Sequence, residues 1–260
     1  MSPERNVLLL VLVLLLAACS TSGSIKKESA ATQREDAARI NTDLGQQYLR
    51  QGKLEMAMEK LQRALSYDPG YADAHTVIAV LYERIGDEAQ AEKHYRRAAE
   101  LQPRNGAALN NYGTFLCKLG RYEEAGKYFQ RALADPFYKT PAVALTNAGT
   151  CQLNAGQPDA AEASLRLALQ RDPQNAEALL QLAQVSYVKG DWFSARGFIQ
   201  RFEAVAQPRP GALMLGRNIE LKLGNAKGVS EYTRKLLRDF PDSAEAQTLN
   251  VRIQRDEQAK

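Results

Sequence analysis

Three cysteines and two histidines are the side chains of this chain best suited to nucleophilic, redox or metal chemistry, and their spacing decides which of these is open to them. Cys117 and Cys151 lie 34 residues apart in similar stretches, LNNYGTFLCKLGRYEEA and LTNAGTCQLNAG, while Cys19 stands near the N-terminus. None of them has the close cysteine or histidine partners from which a zinc site is built. His75 and His94 fall on segments with helical periodicity, at positions where packing is the expected role. No glycine-rich phosphate loop and no serine-nucleophile elbow is present. Glu123 and Glu124 fall at a helix start, where carboxylates complement the helix dipole. The chain is therefore expected to be no enzyme and to need no metal, cofactor or small-molecule substrate.

Cys19 has a different chemistry. Val7 to Ala18 form an apolar run too short to span a bilayer, for which about 20 residues are needed, so residues 1–18 read as a secretory signal. The run ends in LAAC, which resembles the bacterial lipobox. That resemblance implies a diacylglyceryl thioether on Cys19, cleavage before it, and N-acylation of the new terminus. An ordinary signal peptide and an uncleaved anchor are the alternatives. Two or more acyl chains hold a protein stably at a membrane. Ser20, rather than an aspartate, follows the cysteine, which points to the outer membrane, with the protein facing the periplasm. The formal net charge of +4 comes without a basic block, so no nucleic-acid partner is expected.

The elements that position the other residues repeat along the chain. Gly45, Ala79, Gly113, Gly149, Ala183 and Arg217 each precede by seven residues a turn glycine, Gly52, Gly86, Gly120, Gly156, Gly190 or Gly224. Five residues beyond each turn stand Ala57, Ala91, Ala125, Ala161, Ala195 and Val229, and prolines recur at Pro69, Pro103, Pro173 and Pro241. This is the tetratricopeptide pattern. Small residues let two helices approach, glycine turns the chain between them, and proline stops the second helix. The expected fold is all-α: a right-handed superhelical solenoid of about six repeats, 38–71, 72–105, 106–139, 142–175, 176–209 and 210–243, with a capping helix over 244–260. The sixth repeat is expected to be degenerate, lacking the small residues. The polar segment 19–37 reads as a lipidated N-terminus and flexible tether, and DPFYKTPA adds two residues between repeats three and four.

A solenoid of this kind offers a concave face made mainly by the first helix of each repeat. Repeat geometry nominates Leu49, Val80, Asn110, Thr114, Thr146, Leu180 and Tyr187 for that groove, with Thr42, Gln46, Thr76, Glu83, Thr150, Met214 and Leu221 nearby. Several are apolar or small and neutral, which suits a hydrophobic or amphipathic ligand. Contact with a neighbouring repeat is the competing role for each.

With the LAAC box, the tether and the repeats in view, the stretches NNYGTFLC (Asn110 to Cys117) and TNAGTC (Thr146 to Cys151) resemble the type IV pilus biogenesis lipoproteins of the PilF/PilW kind, the pilotins of the pilus secretin. The resemblance covers essentially the whole mature chain. It implies a non-enzymatic protein that binds the secretin subunit and promotes its localisation and multimerisation in the outer membrane. An adaptor for peptidoglycan hydrolases or for outer-membrane assembly is the alternative. The periplasm is oxidising, and with Cys19 lipidated an even pair of thiols remains. One repeat of separation puts Cys117 and Cys151 on adjacent first helices, so a disulfide between them is expected; the alternative is two buried small hydrophobes.

Overall fold

The computed structural model describes residues 29–258, with side chains through Val251. The signal segment 1–18, Cys19, residues 20–28 of the expected tether and the last two residues lie outside them. Among the described residues there are thirteen helices and no strand: α1 (Ala30–Arg50), α2 (Leu54–Tyr67), α3 (Ala72–Ile85), α4 (Glu88–Leu101), α5 (Gly106–Lys118), α6 (Tyr122–Leu133), α7 (Pro141–Asn154), α8 (Pro158–Arg171), α9 (Ala176–Val188), α10 (Trp192–Val205), α11 (Pro210–Lys222), α12 (Ala226–Asp239) and α13 (Ala244–Gln258). No described helix is long and apolar enough to cross a membrane.

The chain turns inside each pair at the six glycines of the repeat, all with φ between 69° and 80°, a left-handed conformation that glycine alone adopts without strain. Asp87, Asn105, Asn175, Asp191 and Asn225 cap the helices that follow them, each accepting a backbone N–H of the first turn. Prolines open α7, α8 and α11, where the missing N–H costs nothing.

Within a pair the helices meet at the small positions. A Cβ on Gly45 would lie 2.6 Å from Leu61 Cγ, and one on Gly149 2.6 Å from Leu165 Cγ. Ala57, Ala91, Ala125, Ala161 and Ala195 are fully buried opposite. Between pairs, each odd-numbered helix packs beside the next odd-numbered helix, and each even-numbered helix packs on the odd-numbered helices flanking it. Among the described residues the even-numbered helices meet one another only through long side chains, as where Arg166 of α8 lies 5.7 Å from the Phe198 ring centre of α10. The odd helices therefore form the inner row of a curved solenoid and the even helices the outer row.

Two local expectations are corrected, and the inserted loop is placed. α1 begins at Ala30, eight residues inside the segment read as tether. Ser29 caps it, its Oγ accepting the Thr32 N–H at 3.2 Å, and alanine, glutamine, arginine and glutamate sustain a helix without burial. The sixth repeat does contain close-packed small residues, one position early: Gly216 abuts Tyr232 and Gly228 abuts Glu220, while Arg217 reaches Thr233 Oγ1 at 3.1 Å. The loop between α6 and α7 is anchored, because Asp135 Oδ2 accepts the Gly106 N–H at 2.9 Å and the Tyr138 ring covers Gly106.

Candidate partner-binding surface

Cys117 ends a turn of α5 and Cys151 faces it from α7; the two are joined in a disulfide with Cα atoms 5.7 Å apart. Cys151 lies in the core formed by Tyr112, Phe115, Phe129 and Ala148, with Cys117 packed against its edge. The bond links the inner rows of the third and fourth helix pairs across the longest loop of the array.

The inner row runs from a polar middle to a more apolar C-terminal part. In the middle, Asn147 Nδ2 donates to Asn110 Oδ1 at 3.1 Å and to Thr114 Oγ1 at 3.2 Å, bridging α7 to α5. Thr114, Thr146 and Thr150 each donate their hydroxyl to the carbonyl four residues back, so these hydroxyls are committed to their own helices. Toward the C-terminus, a hollow between α9 and α11 is lined by Leu180, Gln181, Gln184 and Leu215, and a second between α11 and α13 by Met214, Asn218 and Thr248.

The nominated groove residues divide accordingly. Leu49, Asn110 and Thr146 are only 4%, 5% and 3% exposed and do not present a ligand surface. Leu49 packs among Leu61, Val77, Ile78 and Leu81, Asn110 accepts from Asn147 of the next inner helix, and Thr146 donates its hydroxyl to the Ala142 carbonyl. Val80 is half-buried between two core clusters. Thr114 is half-buried beneath Asn147. Leu180 and Tyr187 are half-buried against the core of α9 to α11 while keeping part of their surface open. Sequence reading missed Asn147, Gln181, Gln184 and Asn218. Asn147 was legible in principle, since it follows the nominated Thr146 directly, but its reach to α5 is a tertiary fact.

Charges on this side are largely paired. Lys118 Nζ lies 2.7 Å from Glu83 Oε2, and the same carboxylate accepts the Tyr95 hydroxyl. Arg209 meets Glu177 at 3.0 Å. Buried Glu220 accepts from Arg196 through both oxygens, at 2.8 and 2.6 Å, and from Asn225 Nδ2 at 2.6 Å. A surface with its charges neutralised in this way recognises shape, apolar area and amide hydrogen bonds rather than a strongly charged tail.

His75 and His94 pack as a pair on α3 and α4, Nδ1 to Nδ1 at 2.9 Å, and His75 Nε2 donates to the Pro69 carbonyl at 3.1 Å. His75 then accepts at Nδ1 from His94. Burial lowers the pKa of both, that of His94 to about 4 with the His75 charge as a further cause. Among the described residues no three metal-ligating side chains cluster.

Known proteins place this geometry in a family. Models of the tetratricopeptide repeat match residues 72–105, 105–174 and 152–219, and a TPR repeat model matches 45–86. The chain is 29% identical over 243 residues to the type IV pilus assembly protein PilF of Pseudomonas aeruginosa, covering 94% of this chain and 96% of that one. The crystal structure of PilW, a type IV pilus biogenesis factor, matches with a TM-score of 0.77 at 34% identity, covering 82% of this chain and 97% of that one. The solved structure of Pseudomonas aeruginosa PilF matches with a TM-score of 0.75 at 29% identity, covering 85% and 99%. Agreement of sequence and fold over nearly the full length of these relatives makes this chain a member of the tetratricopeptide-repeat family of PilF and PilW, the type IV pilus biogenesis proteins.

Proposed function

We propose that this protein is a lipid-anchored pilotin: held at the outer membrane by acyl chains on Cys19 and facing the periplasm, it binds the type IV pilus secretin and promotes its localisation and multimerisation there. The observation that carries the reading is the likeness to PilF and PilW across nearly their whole chains, beyond the repeats that many unrelated proteins share. Anchor and inner row divide the labour. The lipid supplies the destination, and the surface around Leu180, Gln184, Tyr187 and Met214 supplies apolar area and side-chain amides for a segment of the secretin. Its role is binding and delivery, without covalent chemistry.

The test is fractionation of secretin multimers in cells lacking the protein, complemented by wild type, by Cys19→Ala, or by Tyr187→Ala with Met214→Glu. Wild type is expected to restore outer-membrane multimers. Cys19→Ala should remain folded but mislocalised, and the double variant should be anchored yet unable to restore multimers. Normal outer-membrane multimers in the deletion strain would refute the proposal.

A further inference from the structure

Large apolar side chains left in solvent are concentrated at one end of the fifth and sixth helix pairs. Phe193 is 76% exposed, Val188 57% and Leu221 56%, which makes them three of the four most exposed large apolar residues described. All three flank the turns at Gly190 and Gly224. Trp192 stands beside them, and Lys222, reaching across from α11, places its ammonium 5.8 Å from the Trp192 ring centre. Core packing does not account for this exposure. Large apolar residues grouped in solvent beside polar ones mark a contact site.

The patch is formed by helix ends and turns, and none of its residues lines the two hollows of the inner row. Its rim is basic. Among the described residues Lys222 and Lys227 form no ion pair, while Asp191 caps α10 by accepting the Ser194 N–H and Asp159 pairs with Lys189 at 2.7 Å. Tryptophan and phenylalanine beside lysines have the chemistry of a bilayer interface, where aromatic rings sit at headgroup level, lysine stems lie along apolar surface, and ammonium groups meet anionic phosphates.

We propose that this edge, Val188, Trp192, Phe193 and Leu221 with Lys222 and Lys227, rests on an anionic phospholipid surface and gives the anchored solenoid a fixed orientation. The inference rests on the anchoring part of the proposed function and is independent of the secretin. A second contact would hold the inner row at a set angle to the membrane, where a tether alone leaves it to tumble.

Trp192 is the single tryptophan of the chain, so it reports on the edge without labelling. The full-length protein is reconstituted in phosphatidylethanolamine and phosphatidylglycerol vesicles with brominated acyl chains. Sedimentation reads the anchor, and Trp192 fluorescence reads the edge. The expected result is a blue shift and quenching by brominated lipid, both reduced when phosphatidylglycerol is omitted and lost in Phe193→Ser and Lys227→Glu. Phe137→Ser, which removes an 88%-exposed aromatic from the distant α6–α7 loop, should change neither. Unquenched emission overturns the proposal whether or not the protein sediments with vesicles, and so does quenching that survives Phe193→Ser. Quenching without secretin rescue in cells would sink the pilotin reading while leaving this one standing.

Discussion

The Cα atoms of Cys117 and Cys151 stand 5.7 Å apart on neighbouring inner helices, joined through their sulfurs. The bond spans the one place where the 34-residue spacing of the repeat is interrupted, so it restrains the longest loop, residues 134–140. Nothing else covalent ties the array together among the described residues.

Closing a 34-residue loop stabilises the fold by about 3–4 kcal/mol in the chain-entropy model. Cys117→Ser with Cys151→Ser is therefore expected to lower the unfolding free energy by up to that amount in urea titrations. A reductant should lower wild type to the same level and leave the double variant unchanged. Equal stability of wild type with and without reductant would show that the bond contributes nothing.

The same substitution at two glycines should have opposite signs. Gly149→Ala drives a Cβ to 2.6 Å from Leu165 Cγ, inside a fully buried contact, and overpacking of that kind costs about 1–3 kcal/mol. Gly126→Ala, inside α6 with nothing within 4 Å of the added carbon, should stabilise by roughly 0.5–1 kcal/mol through helix propensity. Thermal melts of the two variants decide it. A stabilised Gly149→Ala would mean that the helix pair has room to separate.

Lowered histidine pKa values make the second helix pair acid-sensitive. In the folded state His75 and His94 resist protonation because burial disfavours the charge, and His94 titrates only at about 4. The unfolded chain takes up protons near 6.5, so stability present at neutral pH is lost as pH falls through 6.5 toward 4. Arg97 and Lys93 oppose the charge on His75 and Asp68 favours it, while Lys93 also opposes that on His94. Chemical denaturation between pH 7 and 5, above the carboxylate range, should show this slope, and His94→Gln should flatten it. An unchanged slope in that variant would assign the dependence elsewhere.

Particular residues show how much could be read in advance. The turn glycines, the alanines of the helix contacts and the terminating prolines act within one helix pair, and their periodicity was enough to place twelve helices. Arg217 and Val229 were expected to break the pattern of the sixth pair. In the structure the close contacts fall instead at Gly216, against the Tyr232 ring, and at Gly228, against Glu220. Asn110 has the polarity of a groove residue, yet it is buried and accepts from Asn147 of the next inner helix.

The sequence by itself determined the repeat, the order of the helices and the pairing of inner helices that brings one cysteine toward the other, since each rests on helical periodicity and short turns. Only the tertiary structure decided which inner-row side chains stay open, that the Trp192 edge is apolar and exposed, and that two histidines share one hydrogen bond. These depend on the angle between consecutive helix pairs, which is set by side-chain volumes summed over contacts a whole repeat apart. No local pattern records that sum.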